Sequence, residues 1–256
     1  MVHSKQETLE KLYKNSSTKL YQKQVVNRKG TTPDGVYYNE ILAKEILAQE
    51  TSNNASFLKL QIYPKKVVKT GFIYKRGKEE PEKGSEKALC HHWLINKEFD
   101  NQKVAKVLGK PIEYELNVVK KTKVNVDLVS FNKTTGIIYL IEVKGKVAKS
   151  SKTYKTSETL LRCVLEIETY YRSLGKDFLN NFKEETIKKG IDISGAKKVK
   201  KAILVPEESF IEQQIKGLPI KDLPVYPKFE ESEVHKLLKF YKDFEILFFS
   251  NENRGW

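Results

Sequence analysis

The sequence predicts an α/β protein built around a mixed β-sheet, and three observations favour this fold class. Apolar residues make up 39% of the 256-residue chain, with 13 Tyr, 12 Phe and 2 Trp, which is sufficient for a buried core. Three short strand-like segments follow one another between residues 112 and 143. A long amphipathic helix at 157–174 and a further strand-like segment at 198–205 come next. The order helix, three strands, helix, strand indicates a mixed sheet rather than repeated βαβ units.

Residues 1–80 are predicted to form a basic N-terminal arm and a small α+β segment. Residues 1–35 are polar and rich in lysine, and the Pro-Asp-Gly turn at 33–35 is typical of an arm or a loosely packed start. The regular segments expected after it are one helix and a strand pair: 40–49, 56–63 and 67–74. Residues 76–84 are polar and contain proline and glycine, which is typical of a linker. The role of residues 1–80 stays open between substrate recognition and structural extension.

Residues 85–256 form the second predicted domain, which carries the sheet. Ser85 is a candidate N-cap for a helix that begins at Glu86. The loop at 132–135 joins the second and third predicted strands, which implies an antiparallel hairpin. The predicted elements after the first helix are a short helix at 101–108, strands at 112–119, 123–131 and 136–143, a helix at 157–174, a strand at 198–205, a helix at 233–241 and a strand at 244–249.

Composition and charge narrow the class of function. The formal net charge of +14 favours an anionic partner such as nucleic acid or a membrane surface. No apolar run is long enough for a membrane span, and the N-terminal residues contain no signal-peptide core. With two cysteines that are far apart in sequence, we expect a cytoplasmic protein without membrane contact. The sequence also lacks a P-loop and a G-x-G-x-x-G motif, so nucleotide-driven chemistry is not supported.

Two acids lie within the apolar strands of the predicted hairpin. Asp127 and Glu142 are embedded in apolar sequence, where an unpaired charge is costly. Their midpoint falls at residues 134–135, inside the predicted loop, so the hairpin should place them nearly opposite each other. Lys144 comes two residues after Glu142 and therefore shares its face of the strand. The sequence thus predicts two carboxylates and one ammonium group that converge at an edge of the sheet.

This combination of charged groups is suited to metal-assisted hydrolysis. Carboxylate oxygens are ligands that Mg²⁺ prefers, and a bound cation can stabilise charge on a phosphate and lower the pKa of its water. Lys144 could orient the attacking water or offset the charge that develops in the transition state. The alternative is a solvated cross-strand ion pair, which is common in a chain with 31% charged residues. The nearly continuous apolar strand at 136–143 favours burial over that alternative.

The pattern of Asp127, Glu142 and Lys144 resembles the PD-(D/E)XK phosphodiesterase superfamily, which has the restriction-endonuclease-like fold. The family core is a helix, three strands, a second helix and a further strand, which is the order predicted for residues 85–205. The resemblance implies that the two acids bind Mg²⁺ or Mn²⁺ and that the lysine serves the nucleophilic water. Val126 stands where the family pattern has a proline before the aspartate, although many members lack it.

The resemblance extends to further positions. It implies metal coordination by the backbone carbonyl of Val143 and by a glutamate on the first helix, which here is Glu86. Several subfamilies carry a Gln followed four residues later by Tyr on the later helix, and the matching residues here are Glu166 and Tyr170. Glu86 and Glu166 also have the alternative of ordinary capping or solvated residues. Helical spacing places Glu166 in a ladder of charged residues opposite the apolar stripe, which favours a solvated position for it.

The lysines around these acids favour a phosphate-rich substrate. Residues 120–155 contain nine lysines and two acids, and the two acids are the candidate metal ligands. The lysines expected to follow a nucleic-acid backbone come directly after the motif: Lys146, Lys149, Lys152 and Lys155. Lysine contacts to phosphate give affinity without base readout, and arginine, the usual reader of guanine, is absent from this stretch. The alternative is a solvated lysine-rich surface.

The function that the sequence favours is a Mg²⁺- or Mn²⁺-dependent nuclease, a hydrolase of phosphodiester bonds in DNA, with RNA as the second substrate. Two other classes stay open. One is a nucleic-acid-binding module on the same fold without cleavage, and the other is a basic interaction or scaffold protein. A homodimer is compatible with the resemblance, since cleavage of both strands of a duplex often takes two such domains.

Overall fold

A five-stranded mixed β-sheet carries the candidate functional residues. The computed structural model describes residues 3–14, 19–52, 81–117, 125–147, 154–174, 176–220 and 223–250. The strands are β1 (Lys110–Asn117), β2 (Asn125–Asn132), β3 (Ile137–Val143), β4 (Lys146–Val147), β5 (Tyr154–Lys155), β6 (Lys198–Pro206) and β7 (Phe244–Phe249). The order in the sheet is β1-β2-β3-β6-β7, and β4 pairs with β5 in a separate two-stranded ribbon.

Eight α-helices accompany the strands in this part of the chain. They are α1 (Lys5–Tyr13), α2 (Tyr38–Thr51), α3 (Glu86–Asn96), α4 (Gln102–Leu108), α5 (Leu160–Ser173), α6 (Phe178–Lys188), α7 (Phe210–Lys216) and α8 (Glu233–Tyr241). The sequence predicted all of them except α1, α6 and α7. None of the described helices is both long and apolar enough to cross a membrane.

Pairing in the sheet is antiparallel from β1 to β2 to β3 and parallel from β3 to β6 to β7. This pairing confirms the predicted α/β class with a mixed sheet. The strand β3 lies at the centre of the sheet and is buried at every position after its first residue. Its burial explains why the sequence is apolar at nearly every position of this strand. The strand pair predicted at 56–63 and 67–74 lies outside the described residues.

The helices α3 and α4 pack against the sheet through a continuous apolar core. The helix α3 begins where Ser85 Oγ accepts a hydrogen bond from the backbone N–H of Ala88 at 3.1 Å, as predicted for this N-cap. Trp93 on α3 is 2% exposed, and its ring centre lies 5.6 Å from that of Phe249 on β7. Other members of this core come from the strands: Leu128, Tyr139, Ile141, Val143, Ala202 and Leu204. The core therefore fixes α3 against the strands that carry the candidate site.

Contacts divide the chain into two compact units, which we call the sheet unit and the helical unit. The sheet unit comprises Ile62–Thr156, Tyr170–Glu207 and Asp243–Trp256, and the helical unit comprises Met1–Gln61, Ser157–Thr169 and Glu208–Lys242. In the helical unit, the carboxylate of Glu40 on α2 accepts a hydrogen bond from the backbone N–H of Glu233 at 2.5 Å. The Tyr226 hydroxyl donates to the same carboxylate. Glu40 thus satisfies an N–H group that the first turn of α8 leaves open.

The N-terminal residues contain more regular structure than their polar composition predicts. Ser4 and Glu7 form a capping box at the start of α1, and Leu12 in this helix is fully buried. Two 3₁₀ turns follow, Leu20–Gln22 and Gln24–Asn27. The Ser-x-x-Glu spacing is the sequence signal for this helix, and the interpretation of residues 1–35 as an arm overlooked it.

Replacing Gly109 by alanine should destabilise the protein strongly. Gly109 follows α4 with a φ of +77°, and an added Cβ would lie 2.2 Å from the backbone oxygen of Phe131. Because a strand backbone cannot move aside, we expect the free energy of unfolding to fall by about 3 kcal/mol or more in urea denaturation.

Gly190→Ala is the matched control for this variant. Gly190 has a φ of +76°, but nothing lies within 4 Å of an added Cβ. Only backbone strain of about 1 kcal/mol is then expected. Equal losses in the two variants would contradict the steric explanation.

Candidate active site

The strands β2 and β3 separate at the end that carries Asp127 and Glu142. The ladder between them ends at the pair of Leu128 with Ile141. Beyond that pair, β2 still pairs with β1 back to its first residue, and β3 still pairs with β6 as far as its last residue. We call this opening the strand fork, which consists of Asp127 on β2 and of residues 142–145 at the end of β3. It is the place where the antiparallel part of the sheet opens.

The two predicted acids each lie one residue beyond the last pair of the ladder. Because Leu128 pairs with Ile141, Asp127 and Glu142 are the next residues of β2 and β3, which agrees with the register expected from the midpoint of the hairpin. Lys144 Nζ lies 2.5 Å from Glu142 Oε1, and these two side chains are 8% and 2% exposed. The predicted shared face is therefore observed, and the ion pair is buried, unlike a solvated surface pair.

Three successive backbone N–H groups at the end of β3 are bound by three different elements. The N–H of Lys144 donates to the Leu204 carbonyl on β6 at 2.9 Å. The N–H groups on either side of it point toward the fork, because successive amides of a strand alternate in direction. The backbone N–H of Val143 donates to Asp127 Oδ2 at 2.9 Å, and the backbone N–H of Gly145 donates to Glu86 Oε1 at 2.9 Å. Two carboxylates therefore occupy the positions that a continued β2 ladder would supply.

The buried thiol of Cys90 lies near several acids. Cys90 lies on α3 one turn after Glu86 and is 1% exposed. Burial raises the pKa of this thiol well above its usual value, and the carboxylates of Asp127, Glu86, Glu142 and Glu115 raise it further. The position of the thiol was not predicted from the sequence, although its i,i+4 spacing from Glu86 indicates a shared helix face.

Oxygen donors for a divalent cation are available in the strand fork. The carboxylates of Asp127 and Glu142 and the backbone carbonyl of Val143 are hard oxygen ligands. Among the described residues, no three His, Cys, Asp or Glu side chains are close enough to form a metal-binding group. Mg²⁺ does not depend on such a group, because it usually keeps several waters and binds one or two protein carboxylates. The chemistry of this donor set therefore fits Mg²⁺ or Mn²⁺.

The two residues expected on the later helix, Glu166 and Tyr170, both lie on α5 and are 8% and 5% exposed. One step of the expected charge ladder is an ion pair, in which Arg162 Nε lies 3.3 Å from Glu158 Oε2. The solvated position expected for Glu166 is wrong, because every residue from 163 to 170 is buried. Helical spacing shows which residues share a face, but it does not show that a polar face is covered.

The lysines after the motif are described in part. Lys146 on β4 and Lys155 on β5 are direct Cα partners in the two-stranded ribbon. Lys149 and Lys152 lie outside the described residues. The backbone therefore brings two of the four predicted lysine positions side by side, directly after the strand fork.

We compared the chain with protein families, curated proteins and solved structures, and found no match. The roles of these residues therefore have to be inferred from the chemistry and geometry of this chain.

Removing the Lys144 ammonium should destabilise the protein. Lys144→Met keeps much of the side-chain volume but leaves the buried Glu142 carboxylate without the ammonium group that lies 2.5 Å away. Removing one partner of a buried ion pair costs about 3–5 kcal/mol, so we expect a loss of that order in the free energy of unfolding. Urea denaturation followed by tryptophan fluorescence measures it.

An exposed pair of the same composition is the control. Lys188 Nζ lies 2.9 Å from Glu185 Oε1 at the surface of α6, so Lys188→Met should leave the free energy of unfolding unchanged within error. The double variant Glu142→Gln/Lys144→Met should recover much of the loss, because no buried charge is left in the pair. Wild-type stability of Lys144→Met would show that the ion pair contributes nothing.

Proposed function

We propose that this protein is a metal-dependent nuclease that hydrolyses phosphodiester bonds in nucleic acid, with DNA favoured over RNA. One observation carries the proposal: Asp127, Glu142 and Lys144 meet in the strand fork, and the last two form a buried ion pair. Desolvating such charges is costly, and replacing them with apolar residues is often neutral or stabilising. A chemical role explains their presence better than solubility does.

The fold supports the same proposal. The PD-(D/E)XK resemblance requires an acid on the second strand to meet a Glu-x-Lys segment on the third. Apart from the β4–β5 ribbon and the additional helix α6, the order of three antiparallel strands, a helix and a parallel strand agrees with the restriction-endonuclease-like order. The helix α3, which precedes these strands, corresponds to the first helix of that order.

Each residue of the fork has a distinct proposed task. Asp127 and Glu142 would hold Mg²⁺ or Mn²⁺ together with the backbone carbonyl of Val143. When bound, such a cation stabilises negative charge on the phosphate and lowers the pKa of a coordinated water. Lys144 has three N–H donors, one of which is directed at Glu142. The ammonium group would orient the attacking water and stabilise the negative charge that develops on the phosphate oxygens.

The charge of the chain favours a polyanionic substrate bound through its backbone. The net charge is +14, and residues 120–155 contain nine lysines. The backbone pairing of β4 and β5 makes Lys146 and Lys155 direct Cα partners, and lysines at neighbouring positions favour contact with a phosphate backbone. Affinity of this kind depends steeply on salt and only weakly on base sequence.

A second candidate is a nucleic-acid-binding module that does not cleave. It is favoured by one observation: Lys144 is itself the cation beside Glu142, and the described residues hold no three-ligand metal group. Binding and cleavage separate the two candidates.

Cleavage of supercoiled plasmid and of single-stranded DNA should require Mg²⁺ or Mn²⁺ and stop in EDTA. Glu142→Gln, Asp127→Asn and Lys144→Ala should each lower the rate by about 100-fold or more, as expected when a catalytic group is removed. Glu185→Gln and Lys188→Ala are the controls, since they alter the same residue types in an exposed pair. Circular dichroism establishes that each variant is folded.

Cleavage that persists in EDTA, or in all three folded site variants, would contradict the proposal. DNA retention that fades with salt, without cleavage by the wild-type protein, would establish the second candidate instead.

A further inference from the structure

We propose that Glu86 is a positioning residue that fixes the backbone carrying Lys144 and does not bind the cation. The assignment deepens the proposed nuclease function and rests on it. The observation behind it is the hydrogen bond from the backbone N–H of Gly145 to Glu86 Oε1 at 2.9 Å. Gly145 directly follows Lys144, so this contact acts on the segment that presents the ammonium group.

The opening of the strand fork creates the need for this contact. Where β2 no longer pairs with β3, the N–H groups on that side of β3 lose their ladder acceptors, and buried N–H groups are costly to leave unpaired. Asp127 accepts from the amide before Lys144, and Glu86 accepts from the amide after it. The amide of Lys144 itself donates to β6. The backbone around Lys144 is therefore held by three separate elements, two on the side of the fork and one on the side of β6.

Glu86 is well placed to anchor a backbone. It is the first residue of the eleven-residue helix α3, directly after the N-cap Ser85, where the helix dipole favours a carboxylate. The helix is held in the core by Trp93, which is 2% exposed. Hydrogen bonds to an ionised acceptor are about twice as strong as neutral ones. The contact therefore ties the end of β3 to a rigid element.

Little space is left beside Gly145. A Cβ added to Gly145 would lie 3.1 Å from Phe249 Cζ and 3.5 Å from the ring of Pro206, the last residue of β6. A larger residue at position 145 would therefore press against these rings and displace the backbone that carries Lys144.

Two substitutions of Glu86 distinguish a residue that positions the backbone from a residue that binds the metal. Glu86→Gln keeps an oxygen that can accept from Gly145 but removes the negative charge, and Glu86→Ala removes both. Hydrogen exchange of the Gly145 amide, measured by NMR, should stay slow in Glu86→Gln. In Glu86→Ala it should accelerate by roughly tenfold to a hundredfold, the effect of losing one charge-assisted hydrogen bond.

Mn²⁺ affinity and turnover give two further readouts. The dissociation constant for Mn²⁺, measured by titration calorimetry, should change by less than about twofold in both Glu86 variants, whereas Glu142→Gln should weaken binding by about tenfold or more. Turnover should fall by roughly tenfold to a hundredfold in Glu86→Ala, as expected when a catalytic group is displaced, and recover in Glu86→Gln. Glu233→Gln and Glu233→Ala are the matched controls, since Glu233 is also the first helix residue after a serine N-cap.

Two results would overturn the assignment. Weaker Mn²⁺ binding by Glu86→Gln, equal to that of Glu142→Gln, would make Glu86 a ligand. An unchanged hydrogen-exchange rate of the Gly145 amide in Glu86→Ala would show that the hydrogen bond to Glu86 does not stabilise this backbone segment. Failure of the nuclease proposal looks different, because the wild-type protein would then neither bind Mn²⁺ nor cleave, while the exchange pattern of Gly145 would still report the hydrogen bond.

Discussion

The early end of the ladder between β2 and β3 is the constraint on which the site depends. The central strand β3 remains paired with β6 to its last residue, but it loses β2 after Ile141. A strand that is buried and half unpaired needs acceptors for its amides, and carboxylates from β2 and α3 supply them. The same separation leaves Asp127 and Glu142 beyond the last pair of the ladder, with Lys144 paired to Glu142. The hydrogen bonding of the strand end and the candidate site thus have one structural origin in the strand fork.

Burial makes the interaction between Glu142 and Lys144 strong. The side chains of Glu142 and Lys144 are 2% and 8% exposed, so their attraction is little screened by water. The same burial makes each partner costly to keep without the other. In the proposed nuclease, Lys144 compensates Glu142, and the same carboxylate would also be a ligand of the divalent cation. Asp127, which accepts from the Val143 amide at the strand end, would be the other carboxylate ligand.

The sequence predicted the part of the site that follows from local geometry. The positions of Asp127 and Glu142 around a short loop set their register, and the two-residue spacing of Glu142 and Lys144 set their shared face. The class of the fold and the start of α3 at Ser85 followed from strand spacing and capping chemistry. These features depend on a few neighbouring residues, so one sequence suffices to predict them.

Features that depend on tertiary contacts could not be predicted from the sequence. The burial of Glu166 depends on what covers α5, and the hydrogen bond between Glu86 and Gly145 joins residues 59 positions apart. No proline or glycine stands at the pair of Leu128 and Ile141, where the β2–β3 ladder ends, so the sequence does not mark that end either. The helix α1 is a different case, because the Ser4 and Glu7 of its capping box can be recognised in the sequence. The polar composition of residues 1–35 nevertheless led to the prediction of an arm.

A crystal structure of the protein with Mn²⁺, in which anomalous scattering locates the cation, tests the proposed metal site most directly. We expect a Mn²⁺ peak in the strand fork, in contact with the carboxylates of both Asp127 and Glu142, and we expect Glu86 still to accept a hydrogen bond from the Gly145 amide. Mn²⁺ bound only at other positions, or no peak in the fork at saturating Mn²⁺, would contradict it.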